Sequence, residues 1–231
     1  MGSIDIIFQD KSIIVVNKGS GCLVQGDITK RESLYSRIKK YIADGSNTDD
    51  PFVGIVHRLD FQVSGVVVFA LASKIARFLS EQFSRGDLHK EYLAVVESEK
   101  YQKSSLENGV PQYLYCHREN ERTVITDQPG HASKSISIRI KRIASKSRFT
   151  LLKVYPKTGR KHQIRAVLSY YNIPVVGDRK YGSPVPFMKD SIALHCRKIL
   201  LSYPVRYSRK EFLADIPFYW EVFENLIGPG L

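Results

Sequence analysis

Residues 53–72 read VGIVHRLDFQVSGVVVFALA. Two apolar runs, Val53 to Val56 and Val66 to Ala72, enclose a charged loop. The second run lacks alternation, which predicts a strand buried on both faces. Upstream, Ile4 to Phe8 and Ile13 to Val16 flank a polar turn and predict a hairpin. Thr29 with Glu32 is a capping-box signal for a helix carrying Leu34, Ile38, Tyr41 and Ile42 to Asp44-Gly45. Downstream, Ser73 caps a helix that turns Ile75, Phe78, Leu79 and Phe83 inward and stops at Gly86, and Tyr92 to Val96 is a strand.

The second half is strand-rich. Tyr113 to Cys116 and Thr123 to Thr126 are short strand-like pieces, and Ile136, Ile138 and Ile140 alternate strictly with Ser135, Ser137, Arg139 and Lys141. Phe149 to Tyr155 pairs with that strand, and His162 to Tyr171 carries Ile164, Val167 and Leu168 on one helical face. Strands are expected near Pro174 to Val176, Ile192 to Leu194 and Leu200 to Tyr203, with a terminal helix around Val222 to Ile227. Many strands with few helices and no strand-helix repeat place the chain in the α+β class, on a mixed, largely antiparallel sheet with flanking helices. At 231 residues a single domain is expected. A first strand beginning by about residue 4 leaves no room for a separate N-terminal domain.

Charge points to an anionic partner. Lys and Arg number 35 against 23 Asp and Glu, a net +12. Between Gln128 and Gly177 there is no acidic residue but eleven basic ones, among them Lys141, Arg142, Arg160 and Lys161. With Tyr155, Tyr170 and Tyr171 interleaved, the stretch reads as a contiguous footprint for nucleic-acid phosphates. Cys22, Cys116 and Cys196 fit neither a disulfide framework nor a metal site, and a reducing cytoplasm is the simplest reading. No apolar run approaches the ~20 residues of a membrane span, so no membrane role is expected.

The chemistry narrows by motif. There is no His-Glu-x-x-His, no cysteine pair and no phosphate-binding glycine loop, so neither a metal nor a cofactor is implied. Ser64-Gly65 lacks the preceding glycine of a nucleophile elbow. What remains is His57-Arg58-Leu59-Asp60, a carboxylate beside a cation in a loop held by two apolar strands. Spacing alone reads this as a structural ion pair or as an ionised nucleophile or base, and favours the former.

Four blocks in order then carry a resemblance. His57-Arg58-Leu59-Asp60 with Ser64-Gly65 is preceded by Val15-Val16-Asn17-Lys18 and followed by Lys90 to Val96. Gly159-Arg160-Lys161-His162-Gln163-Ile164-Arg165 runs on to Gly177-Asp178 and Tyr181-Gly182. Together they resemble the RluA-type family of RNA pseudouridine synthases across roughly residues 4 to 205. The chain departs from the family's pattern at Gly19, Val63, Val167 and Tyr203, away from the catalytic positions, which bears on substrate identity.

The resemblance implies one catalytic domain with a central active-site cleft, without the S4-like domain of many relatives. It implies a uridine-to-pseudouridine isomerase that acts on ribosomal RNA or tRNA and takes no cofactor; the cysteines place it in the cytoplasm, and with no obligatory protein partner evident a monomer is expected. Asp60 matches the catalytic aspartate, Tyr92 the tyrosine that stacks on the base, and Arg165 the arginine that pairs with the aspartate. Arg58, with His57 beside it, matches an RNA contact, and Leu194 or Leu200 the apolar wall of the uracil pocket. The target base must leave its stack to reach Asp60. A catalytically inactive RNA-binding or assembly factor on the same scaffold is the alternative. A glycoside hydrolase ranks last, because only Glu91 lies near a motif as the second carboxylate.

Overall fold

The computed structural model describes residues 4–28, 31–46, 48–102, 104, 106, 111–203 and 208–228. In chain order the elements begin β1 (Ile6–Gln9), β2 (Ile13–Lys18), α1 (Leu34–Asp44), β3 (Gly54–Ile55), β4 (Ser64–Ala70) and α2 (Ser73–Arg85). Then come β5 (His89–Glu97), α3 (Ser98–Gln102), β6 (Pro111–Glu119), β7 (Arg122–Thr126), β8 (Lys134–Lys146) and β9 (Phe149–Pro156). The chain closes with α4 (Gln163–Tyr170), β10 (Leu194–Ser202) and β11 (Arg209–Leu213), plus short 3-10 turns at Arg179–Tyr181 and Phe218–Phe223. The class is α+β with few helices, as expected. Two compact units result, Met1–His89 with Cys196–Ile216, and Lys90–His195 with Pro217–Leu231.

In the first unit the strand order is β1-β2-β4-β10, with β3 also on β4 and β11 on β10. β2 and β4 pair antiparallel from Ile13↔Ala70 to Lys18↔Gly65. Their apolar residues are wholly buried, which explains the missing alternation. Gly65 is fixed by packing: at φ +119°, an added Cβ would sit 2.2 Å from the Cys196 carbonyl oxygen on β10. Gln82 of α2 locks the far end of β10, its Nε2 donating to the Ser202 carbonyl at 3.0 Å and its Oε1 accepting from Ser202 N at 2.9 Å.

Several local expectations move. Thr29 lies outside the described residues, and the cap of α1 is Ser33, whose hydroxyl accepts from Ser36 N while Ser36 returns the bond. Ser73 is the first helical residue of α2, after an uncapped Ala72. β11 was not legible, because Arg209-Lys210-Glu211 carries three charges that suit an edge strand and hide its pattern.

The second unit is an antiparallel meander in the order β5-β9-β8-β6-β7. Ile136, Ile138 and Ile140 form its core face with Leu152 and Val154, all at 1% exposure or less. Pro174 to Val176 and residues 192–193 are not strands. They join β5 by single bonds, Val176 N to Val95 O and Val95 N to Ala193 O, since Pro174 lacks an N–H and Gly177 turns away at φ +86°. The expected terminal helix is instead the 3-10 turn after Pro217, which buries Trp220 and Phe223 beside Phe187 and Phe149.

Candidate active site

Asp60 sits half-buried in the loop from β3 to β4. Buried Val56, Leu59 and Val63 root that loop, and Asp60 O accepts from Val63 N at 3.1 Å to close its turn. Lys18, the last residue of β2, runs beneath it at 1% exposure. Its ammonium donates to the carbonyls of Gly19 at 2.8 Å, Cys22 at 2.9 Å and Phe61 at 3.2 Å. The Phe61 carbonyl also accepts from Gly21 N, and the Arg31 guanidinium lies 4.8 Å over the Phe61 ring. The loop is therefore clamped directly after Asp60. Burial lowers the Lys18 pKa to about 8, opposed by Cys22 and by the negative charge of Asp60. Lys18 is thus a cation that the first unit itself places near Asp60, and sequence reasoning gave it no role. A signal was present: Lys18 ends a strand of four consecutive apolar residues and Asn17, on the same pleat face as the buried Ile14 and Val16.

The neighbours of Asp60 divide. Arg58 is exposed, with Nη1 donating to Gln25 Oε1 at 3.4 Å, and its guanidinium reaches solvent. His57, expected beside an RNA contact, is engaged within the fold. Its Nε2 accepts from Val68 N at 3.0 Å and its ring stacks on Phe83 at 4.2 Å. Beyond the two-residue β3, that ring supplies the acceptor a longer strand would have offered to β4, so His57 supports the loop.

In the second unit Tyr92 lies half-buried on β5, opposite Val154 of β9. It shares a sheet face with Lys90, whose ammonium reaches the Thr158 carbonyl at 3.4 Å. Arg165 stands in the first turn of α4 at 3% exposure. Asp178, fully buried, grips it from two sides: Arg165 Nε to Oδ2 at 2.7 Å and Nη2 to Oδ1 at 2.9 Å. The guanidinium also lies 5.0 Å from the Tyr181 ring. Tyr181 is itself held, its hydroxyl accepting from Thr123 N and bonding His162 Nδ1, each at 3.0 Å. Burial raises the Tyr181 pKa. The arginine fork thus has no rotational freedom left, and Asp178, quoted only as part of a motif, is the residue responsible.

The loop before α4 is equally fixed. Gln163 Oε1 accepts from Arg160 N at 3.0 Å and from the Thr158 hydroxyl at 2.8 Å, and Thr123 Oγ1 donates to the Lys161 carbonyl at 2.7 Å. Arg160 and Lys161 project into solvent from this locked backbone.

The expected contiguous footprint breaks up. Lys141 and Arg142 are successive residues of β8 and leave on opposite faces. Lys141 faces Lys153 across the ladder, beside Arg139 stacked 4.7 Å over Tyr155. Arg142, next to the bulge, adds its charge near Tyr101. Cations of the stretch meet acids from outside it: Lys153 with Glu91, Arg148 with Glu97 and Arg165 with Asp178. Leu194, the first residue of β10, is 3% exposed, while Leu200 is half-buried opposite Glu211. Among the described residues no group of His, Cys, Asp and Glu gathers to hold a metal ion, and no helix is long and apolar enough to cross a membrane.

The family model for RNA pseudouridylate synthase matches residues 12–170, from β2 through the end of α4. The chain belongs to the RNA pseudouridylate synthase family. The relatives of this pseudouridine synthase are of the RluA type. It is 28% identical to tRNA pseudouridine synthase C of Haemophilus ducreyi, over 97% of this chain and 96% of that one. It is 30% identical to the dual-specificity RNA pseudouridine synthase RluA of Vibrio cholerae, over 97% and 87%. Ribosomal large subunit pseudouridine synthase D of Borreliella burgdorferi is 28% identical, over 95% and 67%. In fold, the pseudouridine synthase superposes on human RNA Pseudouridylate Synthase Domain Containing 4 with a TM-score of 0.77 at 20% identity, covering 96% of this chain and 92% of that one. Its chemistry is the isomerisation of uridine to pseudouridine in RNA.

Proposed function

We propose that this enzyme isomerises uridine in a folded tRNA or ribosomal RNA, with Asp60 as the catalytic carboxylate. The observation that carries the assignment is the clamp on the Asp60 loop, where a buried lysine and three carbonyls fix the backbone beside the one acid in the matching motif. The relatives' names cover both tRNA and large-subunit ribosomal RNA. The reaction breaks the N1–C1′ bond and forms a C5–C1′ bond; C5 gives up its proton and N1 gains one, with no change of oxidation state. Tyr92 stacks on the uracil taken out of its helix, at a cost of a few kcal/mol that RNA contacts offset. Arg165, held by Asp178, is the cation that the family resemblance assigns to the same chemistry, and Arg58, Arg160 and Lys161 hold phosphates. Leu194 and Leu200 supply apolar surface for the uracil. The enzyme acts as a monomer, and in the cytoplasm, a location that its three free cysteines support.

The test is pseudouridine mapping of total RNA from cells lacking the gene, complemented with wild type or with Asp60→Ala. A site that disappears and returns only with wild type identifies the substrate and supports Asp60. Rescue by Asp60→Ala contradicts its role, and persistence of every site favours a non-catalytic RNA-binding factor.

A further inference from the structure

His162 has no part in the reaction as assigned. It ends the locked loop before α4 at a left-handed φ of +54° and makes no cap bond to the helix. Its ring turns instead on Tyr181, centroids 5.7 Å apart and planes at 88°, with Nδ1 3.0 Å from the Tyr181 hydroxyl. The other partners of that hydroxyl decide which atom carries the hydrogen. A phenol is both a donor and an acceptor. Thr123 N, which can only donate, takes the acceptor at 3.0 Å, and burial, which raises the Tyr181 pKa, keeps the hydroxyl protonated. Thr123 Oγ1 is already engaged, donating to the Lys161 carbonyl at 2.7 Å and accepting from Arg118 Nη1 at 3.2 Å. The Tyr181 hydrogen therefore goes to Nδ1, which requires a neutral His162 with its own hydrogen on Nε2.

That bond bears on Arg165 through one ring. The backbone end of Tyr181 is fixed by Ser169 Oγ, which donates to its carbonyl at 2.7 Å, and by its own N–H, which donates to Asp178 Oδ1 at 3.3 Å. The hydroxyl end is fixed by Thr123 and His162. Between those ends the ring lies 5.0 Å from the Arg165 guanidinium. Asp178 holds Nε and Nη2 of Arg165 within the plane of the fork, and the ring against its face resists tilting out of that plane. Tyr181 and Asp178 share one turn, so a Tyr181 that tips disturbs the carboxylate as well.

We propose that His162 is a positioning residue for the isomerisation, accepting the Tyr181 hydroxyl at Nδ1 and so fixing the plane of Arg165. The inference rests on the part given to Arg165 above. Glycine and asparagine both tolerate a left-handed backbone, but only asparagine returns an acceptor, its Oδ1, to the place of Nδ1. Release of tritium from uridine labelled at C5, in unmodified tRNA and large-subunit ribosomal RNA transcripts, reads the rate. His162→Gly lowers kcat about 5- to 100-fold, the range for one buried hydroxyl left without its acceptor. KM for RNA stays within about threefold, because Arg160 N and the Lys161 carbonyl keep their own partners. His162→Asn restores kcat to within about threefold of wild type. In a Tyr181→Phe background the glycine and asparagine variants no longer differ. Ring-nitrogen NMR of histidine-labelled enzyme at about pH 8, with His162 assigned by its loss in the asparagine variant, shows hydrogen on Nε2 alone. Asparagine falling as far as glycine, glycine leaving kcat unchanged whatever its KM, or hydrogen on Nδ1 overturns the proposal. Should the glycine variant not fold, the asparagine variant and the spectrum decide. Failure of the reading beneath it looks different: wild type then releases no tritium from any RNA, while the spectrum still shows the Nε2 tautomer.

Discussion

Lys18 and Gly65 face each other across the β2–β4 ladder, and each is dictated by a different force. Lys18 is a buried cation with its proton held weakly. Its folded pKa of about 8 lies below the unfolded 10.5, so between those values the unfolded chain binds the extra proton and stability rises with pH. Below pH 8 the cost of burying the ammonium is fully present. Unfolding free energies from urea titrations should therefore climb from pH 8 toward 10, by up to about 3 kcal/mol, and Lys18→Met should abolish the climb. The window closes at pH 10, because the buried Tyr101 and Tyr181 and the half-buried Tyr155 and Tyr171 have raised pKa values and their ionisation then favours the unfolded chain. Gly65 answers to space: Gly65→Ala should lower stability by roughly 3 kcal/mol or more, from strained φ plus collision with a backbone that has nowhere to move. A chemical-denaturation midpoint reads this, and a loss below 1 kcal/mol would show that β10 can shift. Asp178→Asn leaves the buried Arg165 charge without its counter-ion, at a cost of about 3–5 kcal/mol. Thermal unfolding of that variant should show a correspondingly lowered midpoint.

At the scale of elements, strands are tied to helices by single polar side chains where apolar packing alone would allow sliding. Gln82 is the clearest case, since its carboxamide satisfies both backbone groups of Ser202 at the end of β10. Gln82→Leu leaves those groups without their partner and should cost about 1–3 kcal/mol, with faster amide exchange concentrated at Leu201 and Ser202. Uniform exchange along β10 would instead mean that the ladder holds without it. β8 shows the opposite device: its bulge between Arg142 and Ala144 changes the facing of the strand. Lys141 and Arg142, adjacent in sequence ahead of the bulge, serve different surfaces by the pleat alone.

For the whole molecule, the net charge of +12 matters through the cations that remain available to phosphate. Arg58, Arg160 and Lys161 project from clamped loops, while Lys153, Arg148 and Arg165 already have carboxylate partners. Arg160→Glu and Lys161→Glu should each reduce the slope of log affinity against log salt by about one. Lys153→Glu should change that slope less, because its charge is already compensated. Filter binding to tRNA transcripts across a salt series decides between them, and equal slopes for all three variants would return the charge to a diffuse surface field.

The four sequence blocks determined the family and singled out Asp60, Tyr92 and Arg165 as candidates, because a carboxylate set between two apolar strands and an ordered motif are both local in the chain. Strand periodicity likewise determined the α+β class, since burial on one or two faces writes itself directly into the alternation of side chains. Tertiary structure decided which charges are spent. Asp178 reaches Arg165 from 13 residues away and Phe61 O reaches Lys18 across 43, distances over which no local pattern carries information. His57 turned out to complete a ladder and Arg142 to leave Lys141's face, because hydrogen-bond demand and pleat geometry are satisfied in space. The footprint that looked continuous along the chain was partitioned by acids brought in from β5 and from the turn at Asp178.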